Sequence, residues 1–269
     1  MPRATFTPAA TPMKPALRKT SPLALMACGM TLLGAALLPT STLAATDSSA
    51  ANTDAATDTN SAAAVSQFAA DTLSEAHQLL ASRLQQLAQH TQAFCSAEGD
   101  VSLDTLKQDW RSAMLGLNQV NWVEMGPILQ NSRQWQLYFW PDKKDLVARK
   151  TRALLAGDVP ITVESLAEQS IVMQGLGSVE YQLFDARYAD SPLTADSRRC
   201  ELMTANTAYA ANTGKTLRDE WQQFAPQLAE GTGAFSDSRD AVLSLVRALT
   251  VQLEAIKDRK LRRPIGLDN

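Results

Sequence analysis

The sequence predicts an all-α protein built as antiparallel helical bundles. Three observations carry that expectation. Apolar residues recur at three- and four-residue spacing through most of the chain beyond residue 63. No segment alternates apolar and polar residues with the β-branched content of a strand. Proline and glycine breaks at Gly126-Pro127, Pro141, Gly157, Gly175, Pro192, Pro226 and Gly231-Thr232-Gly233 separate the periodic stretches.

Taken in order, Val65, Phe68, Leu73, Ala76, Leu80, Leu84, Leu87, Thr91 and Phe94 trace one face of a long first helix. Asp100 or Ser102 can cap a second, whose face is Leu103, Leu106, Trp110, Ala113, Leu117 and Val120. After Gly126-Pro127 a helical stretch is expected to reach Trp140. Asp142 reads as the N-cap of a helix over 143–155, which Gly157 ends. Thr162 begins another, reaching Gln174. A short helix follows over 175–185, and a long one from about Thr194 to Phe224 uses Leu202, Ala205, Tyr209, Leu217, Trp221 and Phe224. The last carries Val242, Val246, Leu249, Leu253 and Ile256 and stops before Pro264. The midpoint near residue 175 suggests a first bundle over 63–174 and a partial second bundle over 193–262. Two long helices supply only half the surface of a four-helix core, so the second bundle is expected to be incomplete.

The first 44 residues read as a secretory signal peptide. Arg3, Lys14, Arg18 and Lys19 precede an apolar run from Pro22 to Leu38, and small residues follow at Thr42, Ala44 and Ala45. An alternative is lipid attachment at Cys28 within Leu25-Met26-Ala27-Cys28. Residues 45–62 are Ala, Ser, Thr, Asp and Asn without apolar periodicity and read as a disordered tether. The expected location is the periplasm, with no membrane-spanning anchor in the mature chain. Four basic residues and no acid leave with the leader, so the net charge of −3 becomes −7. That balance argues against nucleic acid as a partner. Only Cys95 and Cys200 remain, and an oxidising compartment makes a disulfide between them the default, with two separately buried thiols as the alternative.

The most informative stretch is Gly175-Leu176-Gly177-Ser178-Val179-Glu180-Tyr181-Gln182-Leu183-Phe184. Leu176, Val179 and Leu183 share a helical face, and Glu180 is the lone carboxylate. Gly177 precedes it by one turn, where a side chain would lie beside the carboxylate. The stretch resembles the glycine-x-histidine-x-x-glutamate signature of imelysin-like proteins, a bacterial envelope family catalogued as metallopeptidases. Gly175 and Glu180 match, while Gly177 stands at the histidine position. Asp109-Trp110-Arg111, Met125-Gly126-Pro127, Phe139-Trp140-Pro141-Asp142, Cys200-Glu201-Leu202 and Arg263-Pro264-Ile265-Gly266-Leu267 extend the resemblance from about Cys95 to the end. It implies two helical bundles with the motif facing a cleft, an envelope address, an association with iron uptake, and a C-terminally truncated chain. It also places the chain in a variant branch that lacks the motif histidine.

A catalytic metal needs about three protein ligands, and imidazole is a frequent one. The mature chain holds only His77 and His90, which lie 13 positions apart on one helix and so about 20 Å along its axis. They are expected to be solvated or at a rim. Glu180 is therefore the leading candidate, either as a ligand in a cleft or as a half-buried acid paired with Arg111, Arg133, Arg149 or Arg187. Glu124 and Asp142 are secondary candidates because each flanks a break where helix ends gather. Trp135, Tyr138, Phe139 and Trp140 are expected to pack the core or a domain junction. The resulting expectation is a non-enzymatic periplasmic protein serving iron uptake or envelope binding through an unidentified partner, with weak divalent-cation or iron binding. The alternative is a metal-dependent peptidase of the imelysin type.

Overall fold

One helix organises the molecule. In the computed structural model, which describes residues 49–97, 100–188, 193–195, 197–263 and 265–267, with side chains at 58 and from 60 onward, α1 (Ser49–Cys95) runs for 47 residues. The expected leader with Cys28, Asp190, Ser191, Pro192 and Pro264 lie outside the described residues. Helix α1 begins inside the stretch read as a tether, where alanines at positions 50, 51, 55 and 56 favour helix. Seven more α-helices follow among the described residues: α2 (Leu103–Val120), α3 (Arg133–Leu137), α4 (Leu146–Ala156), α5 (Val163–Ala167), α6 (Gly175–Phe184), α7 (Arg198–Glu230) and α8 (Ser238–Ala255). No strand occurs among the described residues, so the all-α expectation holds.

Capping explains several boundaries. Ser102, not Asp100, caps α2, its hydroxyl accepting from the Thr105 N–H. Thr162 and Ser165 form a reciprocal capping box at α5. Ser197 and Asp237 cap α7 and α8 through the Cys200 and Asp240 N–H groups. Some expected helices are shorter. The stretch after Gly126 breaks at Asn131 and Ser132, both left-handed, and α3 ends at Leu137 with Tyr138 extended. The helix expected to reach Gln174 ends at Ala167, and a single 3₁₀ turn over Ile171–Met173 replaces its second half. In the other direction, α7 continues through Pro226 to Glu230 and ends at Gly231 with φ of 66°.

Helix α7 packs along α1, so the segment expected to open a second bundle shares its core with the first. Leu80, Leu84 and Leu87 of α1 meet Ala113, Leu117 and Val120 of α2, Leu176 of α6 and Leu217 of α7 in one continuous core. Where α1 and α7 meet, a Cβ on Gly214 would lie 2.5 Å from Leu84 Cδ1, so the buried Leu84 side chain would have to shift. A second cluster joins Leu73, Trp221, Leu228, Ala241 and Leu245 at the opposite end. Near the start of α1 the apolar stripe is displaced from the sequence reading. Val65 and Phe68 face solvent, while the Ser66 hydroxyl is buried and donates to the Ala229 carbonyl at 2.9 Å. Helix α8 shows a similar reversal. It buries Ala241, Leu245 and Ala248, and leaves Val246, Leu249 and Leu253 exposed.

His77 is a core residue, not a solvated one. Its ring stacks on Trp221 at 4.3 Å with 9° between planes, and Nδ1 donates to the Leu73 carbonyl at 2.7 Å. Burial lowers its pKa to about 4, partly offset by that hydrogen bond. His90 is partly exposed and lies 2.6 Å from Asp109 Oδ2. Cys95 at the end of α1 and Cys200 in the first turn of α7 form the expected disulfide, 105 positions apart.

Two outcomes follow from this packing. Replacing both cysteines by serine should cost roughly 4–5 kcal/mol of stability, measured by urea unfolding against the oxidised parent. His77 stays neutral in the folded protein down to about pH 4, whereas the unfolded chain protonates it near pH 6.5. Its contribution is thus complete above that range and falls by on the order of 3 kcal/mol as the pH drops through it. Urea unfolding from pH 7 to 4 should show that loss relative to a His77→Phe variant.

Candidate functional site

The site is built around the N-terminus of α6. Gly175 adopts φ of 70°, and a Cβ on it would stand 2.2 Å from the Gln136 carbonyl oxygen and 2.6 Å from that of Leu137. Only glycine fits there, on both backbone and steric grounds. Trp110 Nε1 donates to the Leu176 carbonyl at 3.0 Å, which ties α2 to the first turn of α6. Ser178 Oγ lies 3.2 Å from Thr151 Oγ1 of α4 and accepts from Asn206 Nδ2 of α7 at 3.2 Å. Gln174 Nε2 reaches the carbonyls of Leu166, Ala167 and Gln169, closing the α5 turn onto the same end. The helix is thereby held from several sides.

This arrangement aims Glu180 into a pocket of about 310 Å³. Tyr138, Phe139, Trp140, Tyr181 and Phe184 provide aromatic walls, with Val147, Ala148 and Gly177 at the base. Asp142, Asp145 and Asp185 complete the lining, in which no basic residue occurs among the described residues. The partner of Glu180 is Tyr138, whose hydroxyl donates to Oε2 at 2.8 Å. None of the arginines proposed from the sequence fills that role. Arg133 is buried against Glu220 and the Pro127 carbonyl, and Arg187 pairs with Asp185. Arg111 stacks over the Phe184 ring at 5.1 Å, and Arg149 lies near Asp142. Burial raises the pKa of Glu180, and the Tyr138 hydrogen bond partly counters it. Burial and the adjacent carboxylate raise that of Tyr138.

Asp142 serves the backbone. Its Oδ1 accepts from the N–H groups of Lys144 and Leu146, and Oδ2 from that of Val147 at 2.8 Å. Against a burial effect of opposite sign, these bonds hold its pKa below the usual carboxylate range. Its carboxylate thus satisfies first-turn N–H groups of α4 from outside the helix; because α4 starts three residues later than expected, at Leu146, the N-cap position is Asp145 and not Asp142. Glu124 is exposed, lies on the loop after α2, and is outside the pocket lining. His77 and His90 are also outside it. Gly177 is the open position: a Cβ there would meet Tyr138 and Val147 at 3.8 Å, ordinary contact.

Of the aromatic run, Tyr138 and Phe139 pack against the core as expected and, with Trp140, also wall the pocket, while Trp135 is half exposed. Asp109, noted in the sequence only within a family-like stretch, is a structural residue. It is buried, with Gln86 Nε2 donating to Oδ1 at 2.7 Å and His90 on Oδ2. Its position, three after Leu106 and four before Ala113, already placed it on the buried face.

The family model for Imelysin matches residues 72–269. The chain belongs to the imelysin family. Among solved structures, the chain is similar to an imelysin-like protein from Psychrobacter arcticum 273-4, at 23% identity with a TM-score of 0.64. That likeness covers 77% of this chain and 65% of that one, and it concerns the fold. No curated protein matches. An imelysin-type metal site finds no fit in the residues present. Among the described residues, no group of three His, Cys, Asp or Glu is placed to hold a metal ion. In the pocket, Asp142 is committed to three N–H groups and Asp185 to Arg187, and no nitrogen donor lines it.

The two motif glycines should respond oppositely to a methyl group. Gly175→Ala should lower stability by at least about 2 kcal/mol through left-handed strain and backbone overlap. Gly177→Ala, inside a helix with room for the methyl, should be neutral or stabilising by up to about 1 kcal/mol. Urea midpoints of the two variants check this.

Proposed function

We propose that this protein is a non-enzymatic, ligand-binding imelysin-family member that acts in the bacterial envelope, in iron acquisition or envelope binding. The observation that carries this reading is Gly177. The family signature puts histidine one turn before the glutamate, and here that position is bare and open to the pocket beside Glu180. Both histidines of the mature chain have other work, His77 against Trp221 and His90 against Asp109. The leader-like first 44 residues and the acidic balance of the remainder support an envelope address. No described helix is long and apolar enough to cross a membrane.

The second reading is a metal-dependent peptidase, favoured by the family's classification as peptidases. Incubation of the purified mature chain with protein substrates, with and without chelator, separates the two. The expected result is no chelator-sensitive hydrolysis by the parent. Gly177→His places an imidazole beside Glu180 and should raise affinity for zinc or iron at least about tenfold, read by titration. Chelator-sensitive hydrolysis by the parent, abolished in Glu180→Ala, would overturn the non-enzymatic reading.

A further inference from the structure

The pocket beside Glu180 has a chemical character that selects among ligands. Its volume of about 310 Å³ lies at the small end of ligand pockets. Five aromatic and four acidic residues line it, and among the described residues no lysine, arginine or histidine joins the lining, although the Lys260, Arg187 and Arg111 cations lie against the rings of Trp140, Tyr181 and Phe184. Of the four acidic residues, Asp142 and Asp185 are engaged as described, and Asp145 is exposed. Glu180 differs. It is only partly exposed, its Oε2 is held by Tyr138, and its Oε1 accepts no hydrogen bond from the described residues.

An oriented carboxylate oxygen set among aromatic faces is matched to an organic cation with N–H donors. It is poorly matched to a metal ion, which requires several converging ligands. The rings already attract such groups from the chain itself. The Lys260 ammonium sits 5.5 Å from the Trp140 ring centre, and Arg187 lies 5.4 Å from that of Tyr181. These contacts show aromatic faces around the pocket meeting organic cations.

We infer that this pocket binds an organic cation, a primary ammonium or guanidinium group, which donates to Glu180 Oε1 and packs against the Trp140 wall. The inference rests on the reading of the pocket as a binding site and names the ligand class. Tyr138 acts as a positioning residue, fixing the carboxylate so that Oε1 faces the pocket. The cation belongs either to a free amine or to a lysine or arginine side chain of a peptide.

Calorimetric titration of the mature chain tests this with butane-1,4-diamine, a doubly blocked lysine, a doubly blocked arginine, and butane-1,4-diol as the uncharged control. Saturable binding of at least one cation and none of the diol is expected. Glu180→Gln preserves the side-chain shape and should weaken that cation at least tenfold. Trp140→Ala, at a partly exposed position, should weaken it severalfold without changing the melting temperature. Tighter binding of the diamine assigns a free amine, and tighter binding of a blocked residue assigns a peptide side chain. Absence of saturable cation binding, equal affinity in Glu180→Gln, or equal binding of the diol would overturn the inference. Hydrolysis is read separately. An inert protein that ignores every cation rejects the ligand class alone, whereas chelator-sensitive hydrolysis rejects the non-enzymatic reading whatever the titrations give.

Discussion

The constraint on which the rest of the site depends is the contact of Gly175 with the carbonyl groups ending α3. With no Cβ at this position, α6 starts directly against Gln136 and Leu137, and Tyr138 leaves that same backbone in an extended conformation. The two segments are thereby locked in a register that brings the Tyr138 hydroxyl to Glu180, 42 positions away. The Trp110 indole and the Ser178–Thr151–Asn206 group fix the remaining sides of the helix. A half-buried carboxylate is costly unless something satisfies it, and here a tyrosine supplies a neutral donor. An arginine would have supplied charge as well, and the aromatic pocket would then have contained its own counter-ion.

Two of the sequence stretches that carry the family resemblance, 109–111 and 139–142, are neighbours of this arrangement. Asp109 anchors α2 to α1 through Gln86 and His90, Trp110 reaches α6, and Arg111 covers Phe184. Phe139 and Trp140 wall the pocket while Asp142 accepts from first-turn N–H groups of the helix behind it. Gly126 admits the Phe224 ring, and the Pro127 carbonyl accepts from the buried Arg133. These residues do different jobs, and most of those jobs are structural. Glu180, held by Tyr138 through Oε2, keeps Oε1 to spare inside the pocket.

Helix type and most of the core were legible in the sequence because apolar spacing reports directly on burial in long helices. Leu106, Leu117 and Val120, and Leu202, Leu217 and Trp221, are buried as their periodicity indicates. The reading lost accuracy where a polar or small group takes the inward position. Ser66 on α1 and Ala241 and Ala248 on α8 are buried, and larger apolar neighbours point outward. Partnerships were harder still. The pairing of Arg133 with Glu220 and of Tyr138 with Glu180 spans many positions and leaves no local trace in the sequence. Burial of His77 turned on the Trp221 face, which belongs to another helix.

The Cys95–Cys200 bridge encloses a further property. Every residue lining the Glu180 pocket, from Tyr138 to Asp185, lies on the covalent circuit between those two cysteines. A single peptide-bond cleavage anywhere on that circuit would leave the two fragments tethered through sulfur. In a compartment rich in foreign proteases, a nicked molecule would therefore stay one particle until it met a reductant.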